Sequence, residues 1–201
     1  SPEEKPEYNG IQLINSKVIV SYLKQLLRND LQYTPFEMVA MEKKVSEEIT
    51  IQTGQGPFTL RLGGTIDRME STLRIVDYKT GGSPKIPANI EQLFTPSETR
   101  PNYIFQTFLY AAIMSRQQSL MVAPALLYIH RAASENYSPV IEMGEPRKPK
   151  IPVNNFAFFE DEFRERLQTL LEEIFSEEEP FTQTEDTKKC SYCDFKAICK
   201  R

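Results

Sequence analysis

Apolar residues return every three to four positions along NSKVIVSYLKQLLRND (15–30), at Val18, Ile19, Tyr22, Leu23, Leu26 and Leu27. That is the period of an amphipathic helix, with Asn15 or Ser16 as its capping residue. The Thr34-Pro35-Phe36 triplet interrupts the chain. VAMEKKVSEEITIQT (39–53) then reads as one or two strands, and FTLRLGGTIDRME (58–70) alternates Phe58, Leu60 and Leu62 before a Gly-Gly pair. Glycines inside a strand predict a bulge or a close approach of another element. A short turn at Glu70-Ser71 leads into LRIVDYKT (73–80), a second strand folded back as a hairpin. Residues 81–101 read as a long loop with little regularity. Helical spacing resumes over 102–118, MVAPALLYIHR (121–131) reads as a buried strand, and an acidic helix covers 159–179. The succession predicts an α/β fold, a central mixed sheet of four or five strands flanked by helices. No internal repeat or low-complexity tract interrupts it.

Composition narrows the picture only slightly. The chain has 201 residues, 40% hydrophobic and 26% charged, enough for one sizeable domain with a small appendage. It contains no apolar run approaching about eighteen residues and no secretory signal, which predicts a cytoplasmic protein with no membrane span. Residues 1–14 begin polar and proline-rich and read as a linker or the cut edge of a longer polypeptide. The net charge of −4 is not that of a stand-alone nucleic-acid binder, although a local basic groove can coexist with acidic faces. Lys85 in the long loop and the run Arg147–Lys150 are candidate phosphate contacts; such a run is more commonly a solvated loop. The three cysteines, Cys190, Cys193 and Cys199, all fall in the last twelve residues. An odd number, closely spaced, argues against a disulfide framework and for ligation of a metal or cluster.

The residues that change the picture most are Asp67, Asp77 and Lys79. Taken singly, each is an ordinary strand-end charge. In a hairpin turning at 70–72, however, residues 67 and 77 approach across the ladder, and residues 77 and 79 share a face. Two carboxylates at one point suit a divalent cation with oxygen ligands, Mg²⁺ or Mn²⁺, with the main-chain carbonyl of Tyr78 as a further donor. A neighbouring ammonium can act on an attacking water and on phosphate charge. The pattern predicts metal-assisted phosphodiester hydrolysis. Arg68 and Tyr78, one step along each strand, face the opposite side and read as supporting groups. Glu42 reads either as a third acidic group or as a surface residue, and His130 as a structural strand-end histidine.

GGTIDR followed by IVDYKTG resembles the core of the PD-(D/E)XK nuclease superfamily, in wording typical of its RecB/AddB branch. That branch carries Q-x-x-x-Y on the next helix, matched here by Gln106 and Tyr110, one helical turn apart. The resemblance implies that both line the active site, and it makes residues 15–180 the nuclease domain and 181–201 a C-terminal cysteine segment. It also implies an exonuclease acting on DNA, a helicase subunit as partner, and a role in DNA end processing and recombinational repair. Relatives of this branch hold a [4Fe–4S] cluster through one upstream cysteine and three later ones spaced C-x2-C-x5-C, as Cys190, Cys193 and Cys199 are. Two departures stand out. No fourth cysteine occurs in residues 1–189, which leaves a cluster completed from upstream of Ser1, a zinc site, or reduced thiols as readings. The helix at 15–30 lacks the histidine that relatives add as a metal ligand. A degenerate nuclease fold serving as a DNA-binding or partner-docking module is one alternative, against which the Asp–Asp–Lys set favours the enzyme; a metal-dependent phosphodiesterase acting on RNA is another, since the motifs contact phosphate and metal rather than the 2′-hydroxyl.

Overall fold

The structure is a computed structural model and describes residues 8–118, 121–134, 136–178, 180 and 182–200. Helix α1 spans Gly10–Leu31 and starts earlier than its apolar periodicity indicates. Asn9 and Gln12 form a reciprocal capping box at its start: the Asn9 side chain accepts from the Gln12 amide, and the Gln12 side chain accepts from the Asn9 amide, each at 2.9 Å. That pair satisfies two amides that have no partner inside the helix. Residues 10–14, read as the end of a linker, are therefore helical, and residues 1–7 lie outside the described residues.

Strand β1 (Met38–Thr53) is one continuous strand and pairs antiparallel with β2 (Gly56–Glu70) in a long hairpin. The irregularity expected at the glycines lies elsewhere, between Met38 and Ala40 of β1. The glycines instead serve close approach. A β-carbon on Gly63 would stand 2.3 Å from the Val45 carbonyl oxygen, and one on Gly64 would stand 2.5 Å from the Tyr110 hydroxyl. Strand β3 (Arg74–Lys79) pairs antiparallel with β2 and parallel with β4 (Ala123–Tyr128), giving a mixed four-stranded sheet in the order β1-β2-β3-β4. The expected strand at 121–131 thus ends at Tyr128 and continues as a 3-10 turn over Ile129–Arg131.

Between the parallel strands the chain crosses over through a one-turn helix α2 (Glu91–Phe94) and helix α3 (Asn102–Gln118). The loop at 81–101 is more ordered than its sequence suggests, because Ile90 and Leu93 plug into the core at 1% and 0% exposure. A two-stranded ribbon, β5 (Glu142–Met143) with β6 (Ile151–Pro152), precedes α4 (Ala157–Ile174). Two single turns, α5 (Thr187–Cys190) and α6 (Lys196–Cys199), carry the cysteines.

The sheet is covered on both faces. On one face Ile66, Ile75 and Leu126 pack with Phe108 and Ile113 of α3 and Phe163, Leu167 and Leu171 of α4. The α4 residues recur every fourth position, as a helix with one buried stripe requires. On the other face Val76, Ala125 and Leu127 meet Leu26 near the end of α1. Strands β3 and β4 are buried on both sides, the usual condition of a parallel pair. Arg164 of α4 fastens the first of these layers. It pairs with Glu47 of β1 at 3.1 Å and Glu160 at 2.7 Å and donates to the Ala112 carbonyl of α3. Among the described residues helix α1 is held near its C-terminal end, and Ile11, Ile14, Ile19 and Leu27 are all more than half exposed.

Candidate active site

Alternation along β3 decides which side chains meet. Ile75, Asp77 and Lys79 point toward α3, while Val76 and Tyr78 point toward α1. Arg68 pairs with Val76, so Asp67 lies one step further along the ladder, beside Asp77. Asp67 Oδ2 accepts the Tyr78 main-chain N–H at 2.7 Å. Asp77 is 5% exposed. Its Oδ2 lies 2.6 Å from Lys79 Nζ, yet the contact is not aligned as a hydrogen bond, and Oδ2 is buried with no hydrogen-bond partner. Burial pushes the Asp77 carboxyl above its usual range; Lys79 opposes that shift, and the Asp67 charge adds to it.

Lys79 is held on three sides. Besides Asp77, its ammonium donates to Gln106 Oε1 at 2.9 Å and lies 4.3 Å from the centre of the Tyr103 ring. Gln106 Nε2 donates in turn to the Tyr110 hydroxyl at 3.1 Å. The i, i+4 spacing on α3 sets that last contact. Gly64 makes it sterically feasible, since the Tyr110 ring occupies the space a side chain there would need. The structure thus joins Asp77, Lys79, Gln106 and Tyr110 in one chain of contacts, with Asp67 alongside. Tyr103 and Gly64 are absent from the sequence-based site. A Gly-Gly pair inside a strand was the signal for the second; an aromatic three residues before Gln106 is too common to signal the first.

The opposite side of the same strands carries a polar network. Arg68 is 1% exposed. Its Nη1 donates to both Asp30 oxygens at 2.8 and 2.9 Å and to the Tyr78 hydroxyl at 2.9 Å; its Nη2 donates to Glu70 at 2.6 Å. Glu70 also accepts from Arg74 Nε and Nη2. Burial works against the Arg68 charge, but its bonds to Tyr78 and Asp30 outweigh this and hold its pKa above the ordinary arginine value. Arg68 and Tyr78 therefore brace the two strands from behind, linking α1 to the backbone beneath Asp67 and Asp77.

The donors suit a hard divalent cation. They are all oxygens, and one carboxylate oxygen of Asp77 is buried without a hydrogen bond. Among the described residues no three His, Cys, Asp or Glu side chains are gathered to hold a metal, so an ion here would rest on Asp67, Asp77, the Tyr78 carbonyl and water. Glu42 is exposed, with a left-handed backbone, φ 49°. His130 is exposed, its ring 6.2 Å from that of Tyr128. Lys85 donates to the carbonyls of Thr99 and Arg100. In the basic run, Lys148 pairs with Glu145 at 2.5 Å and Lys150 binds the carbonyls of Gly144 and Glu145. Cys190, Cys193 and Cys199 are free, partly exposed thiols. Among the described residues they are not gathered into one group of ligands.

No helix among the described residues is long and apolar enough to cross a membrane. No curated protein matches the chain. Among solved structures, the one described as "Crystal structure of SSO0001" is 15% identical to it, over 94% of this chain and 72% of that one, with a TM-score of 0.35. The sequence model of the PD-(D/E)XK nuclease superfamily matches residues 1–200. A match over that span, on a chain whose mixed sheet brings an aspartate and a lysine two residues apart against a glutamine of α3, means that this protein belongs to the PD-(D/E)XK nuclease superfamily.

Proposed function

We propose that the chain is a metal-dependent nuclease that hydrolyses phosphodiester bonds in DNA, with Asp67, Asp77 and the Tyr78 carbonyl holding Mg²⁺ or Mn²⁺. The observation that carries the reading is the ammonium of Lys79, fixed between the Asp77 carboxylate and the Gln106 amide oxygen. Superfamily membership indicates a nuclease-type enzyme; the choice of DNA, exonuclease action and the cation are our reading. When bound, the ion supplies Lewis acidity toward phosphate oxygens and lowers the pKa of water. The protein's own groups do the rest. The Tyr78 N–H orients one oxygen of Asp67 and leaves the other available. Lys79 provides fixed positive charge where negative charge develops on the phosphate, already positioned before the reaction. Gln106, itself bonded to Tyr110, keeps that ammonium from swinging away. The contacts made this way are to phosphate, so cleavage without sequence preference is expected.

The wider setting is proposed on the motif wording alone: a subunit of an AddB/RecB-type helicase–nuclease, partnered by a helicase, in DNA end processing and recombinational repair. A [4Fe–4S] cluster on Cys190, Cys193 and Cys199 would need a fourth ligand from beyond this chain, and no step of the reaction is assigned to it.

Linear DNA with Mg²⁺ or Mn²⁺ tests the catalytic reading. The chain should degrade it and stop on addition of EDTA. Lys79→Ala should lose roughly 10²–10³-fold in rate while binding Mn²⁺ as the wild type does in calorimetry, and Asp77→Asn should lose both activity and Mn²⁺ binding. Equal rates for wild type and Lys79→Ala would overturn the mechanism.

A further inference from the structure

Beside Lys79 lies a cavity that the reaction as described does not use. It encloses about 240 Å³ between Gly82–Ser83 and Arg100–Asn102, with Tyr103 and Tyr128 in its wall. A ring has two faces. The Lys79 ammonium lies 4.3 Å from the centre of Tyr103, yet the residue remains 41% exposed and lines the cavity. Gly82 keeps this space open. Its φ is +78°, and a β-carbon there would stand 3.1 Å from Tyr103 Cε2. Two cations border the cavity. Lys85 is bound to the Thr99 and Arg100 carbonyls at 2.9 and 3.0 Å, and Arg100 Nε to the Leu93 carbonyl at 2.7 Å. Carbonyls fix their positions without neutralising their charge.

We infer that Tyr103 is a stacking platform for one nucleobase of the substrate and that Lys85 and Arg100 take the phosphate of an adjoining nucleotide. The identity of the ligand rests on the nuclease reading above; the subsite rests on the cavity, the exposed ring and the two fixed cations. Every base has a π-face, so such a platform orders the strand without reading its sequence. Because the ring also contacts Lys79, a base seated on it is registered directly against the reacting end of the site.

The test is binding without chemistry. Fluorescence anisotropy of a labelled single-stranded oligodeoxynucleotide is measured in EDTA, with one abasic position moved along the strand. Wild type and Tyr103→Phe should each lose about 5- to 140-fold in affinity when the abasic site falls at one particular position, the range for one stacked base. Tyr103→Leu should bind the intact strand more weakly by a similar factor and be indifferent to an abasic site there. Arg100→Gln should weaken intact and abasic strands alike and reduce the salt dependence, as loss of a phosphate contact does. Affinity of the wild type that ignores the abasic position, or a Tyr103→Leu profile identical to the wild type's, would overturn the subsite. If the protein reads the abasic position but cuts nothing with Mg²⁺ or Mn²⁺, the subsite stands and the catalytic assignment falls.

Discussion

Asp77 is 5% exposed, and one of its oxygens has no hydrogen bond; its pKa is raised, by burial first, with the Asp67 charge adding and Lys79 opposing. A carboxyl whose folded pKa lies above its unfolded value contributes stability below the unfolded pKa and loses it as pH rises through the folded one. At neutral pH and without metal, its charge therefore works against folding. Asp77→Asn should accordingly melt higher than the wild type in EDTA at neutral pH, with the difference shrinking as pH falls below the ordinary carboxylate range. Thermal unfolding across pH checks this. A lower melting temperature for the variant at neutral pH would mean that the Lys79 ion pair outweighs burial. Added Mn²⁺ should stabilise the wild type and leave the variant unmoved, since only a ligand that binds the folded state shifts its stability.

At the scale of elements, what could be read in advance depended on whether the signal was local. The helix at 102–118 matches its expected bounds, and the facing of Asp77, Lys79 and Gln106 follows from periods of two and 3.6. The start of α1 was hidden because its capping pair, Asn9 and Gln12, falls in a stretch whose polarity resembles a linker. Helix α2 was hidden because a single turn has no periodicity to detect; it forms because Leu93 is buried by α3 and α4. The Arg68–Asp30 bond joins residues 38 apart, which no local pattern reveals. Helix α1 also carries its own prediction. Among the described residues its N-terminal half makes little contact with the body, whereas its end is tied down through Leu26, Asn29 and Asp30. Isolated helical segments are marginal in water. Amide hydrogen exchange should therefore be graded, fast over residues 12–20 and slower over 26–31. Uniform protection along the helix would show that the apolar N-terminal half is covered in solution.

For the whole molecule, the two faces of the sheet divide the labour. One packs the α3–α4 layer and the candidate site; the other carries the Arg68 network and the end of α1. The site is drawn from one continuous run of chain, residues 67 to 110, in which Lys79 and Gln106 are separated by 27 positions. The Arg164–Glu47 clasp spans 117 positions. That contrast bears on the order in which the molecule assembles. Short loops close at lower entropic cost than long ones, so the β2–β3 turn and its docking to α3 are expected in the folding nucleus, and the α4 clasp after the barrier. Arg164→Met leaves Glu47 buried without its closest cation, a change that costs about 3 kcal/mol, and nearly all of it should appear as faster unfolding. Ile66→Val, in the strand beneath α3, should instead slow folding. Stopped-flow chevrons of the two variants separate these outcomes. If they behave as expected, the stretch that brings the two aspartates and the lysine together takes shape before the fold around it is complete.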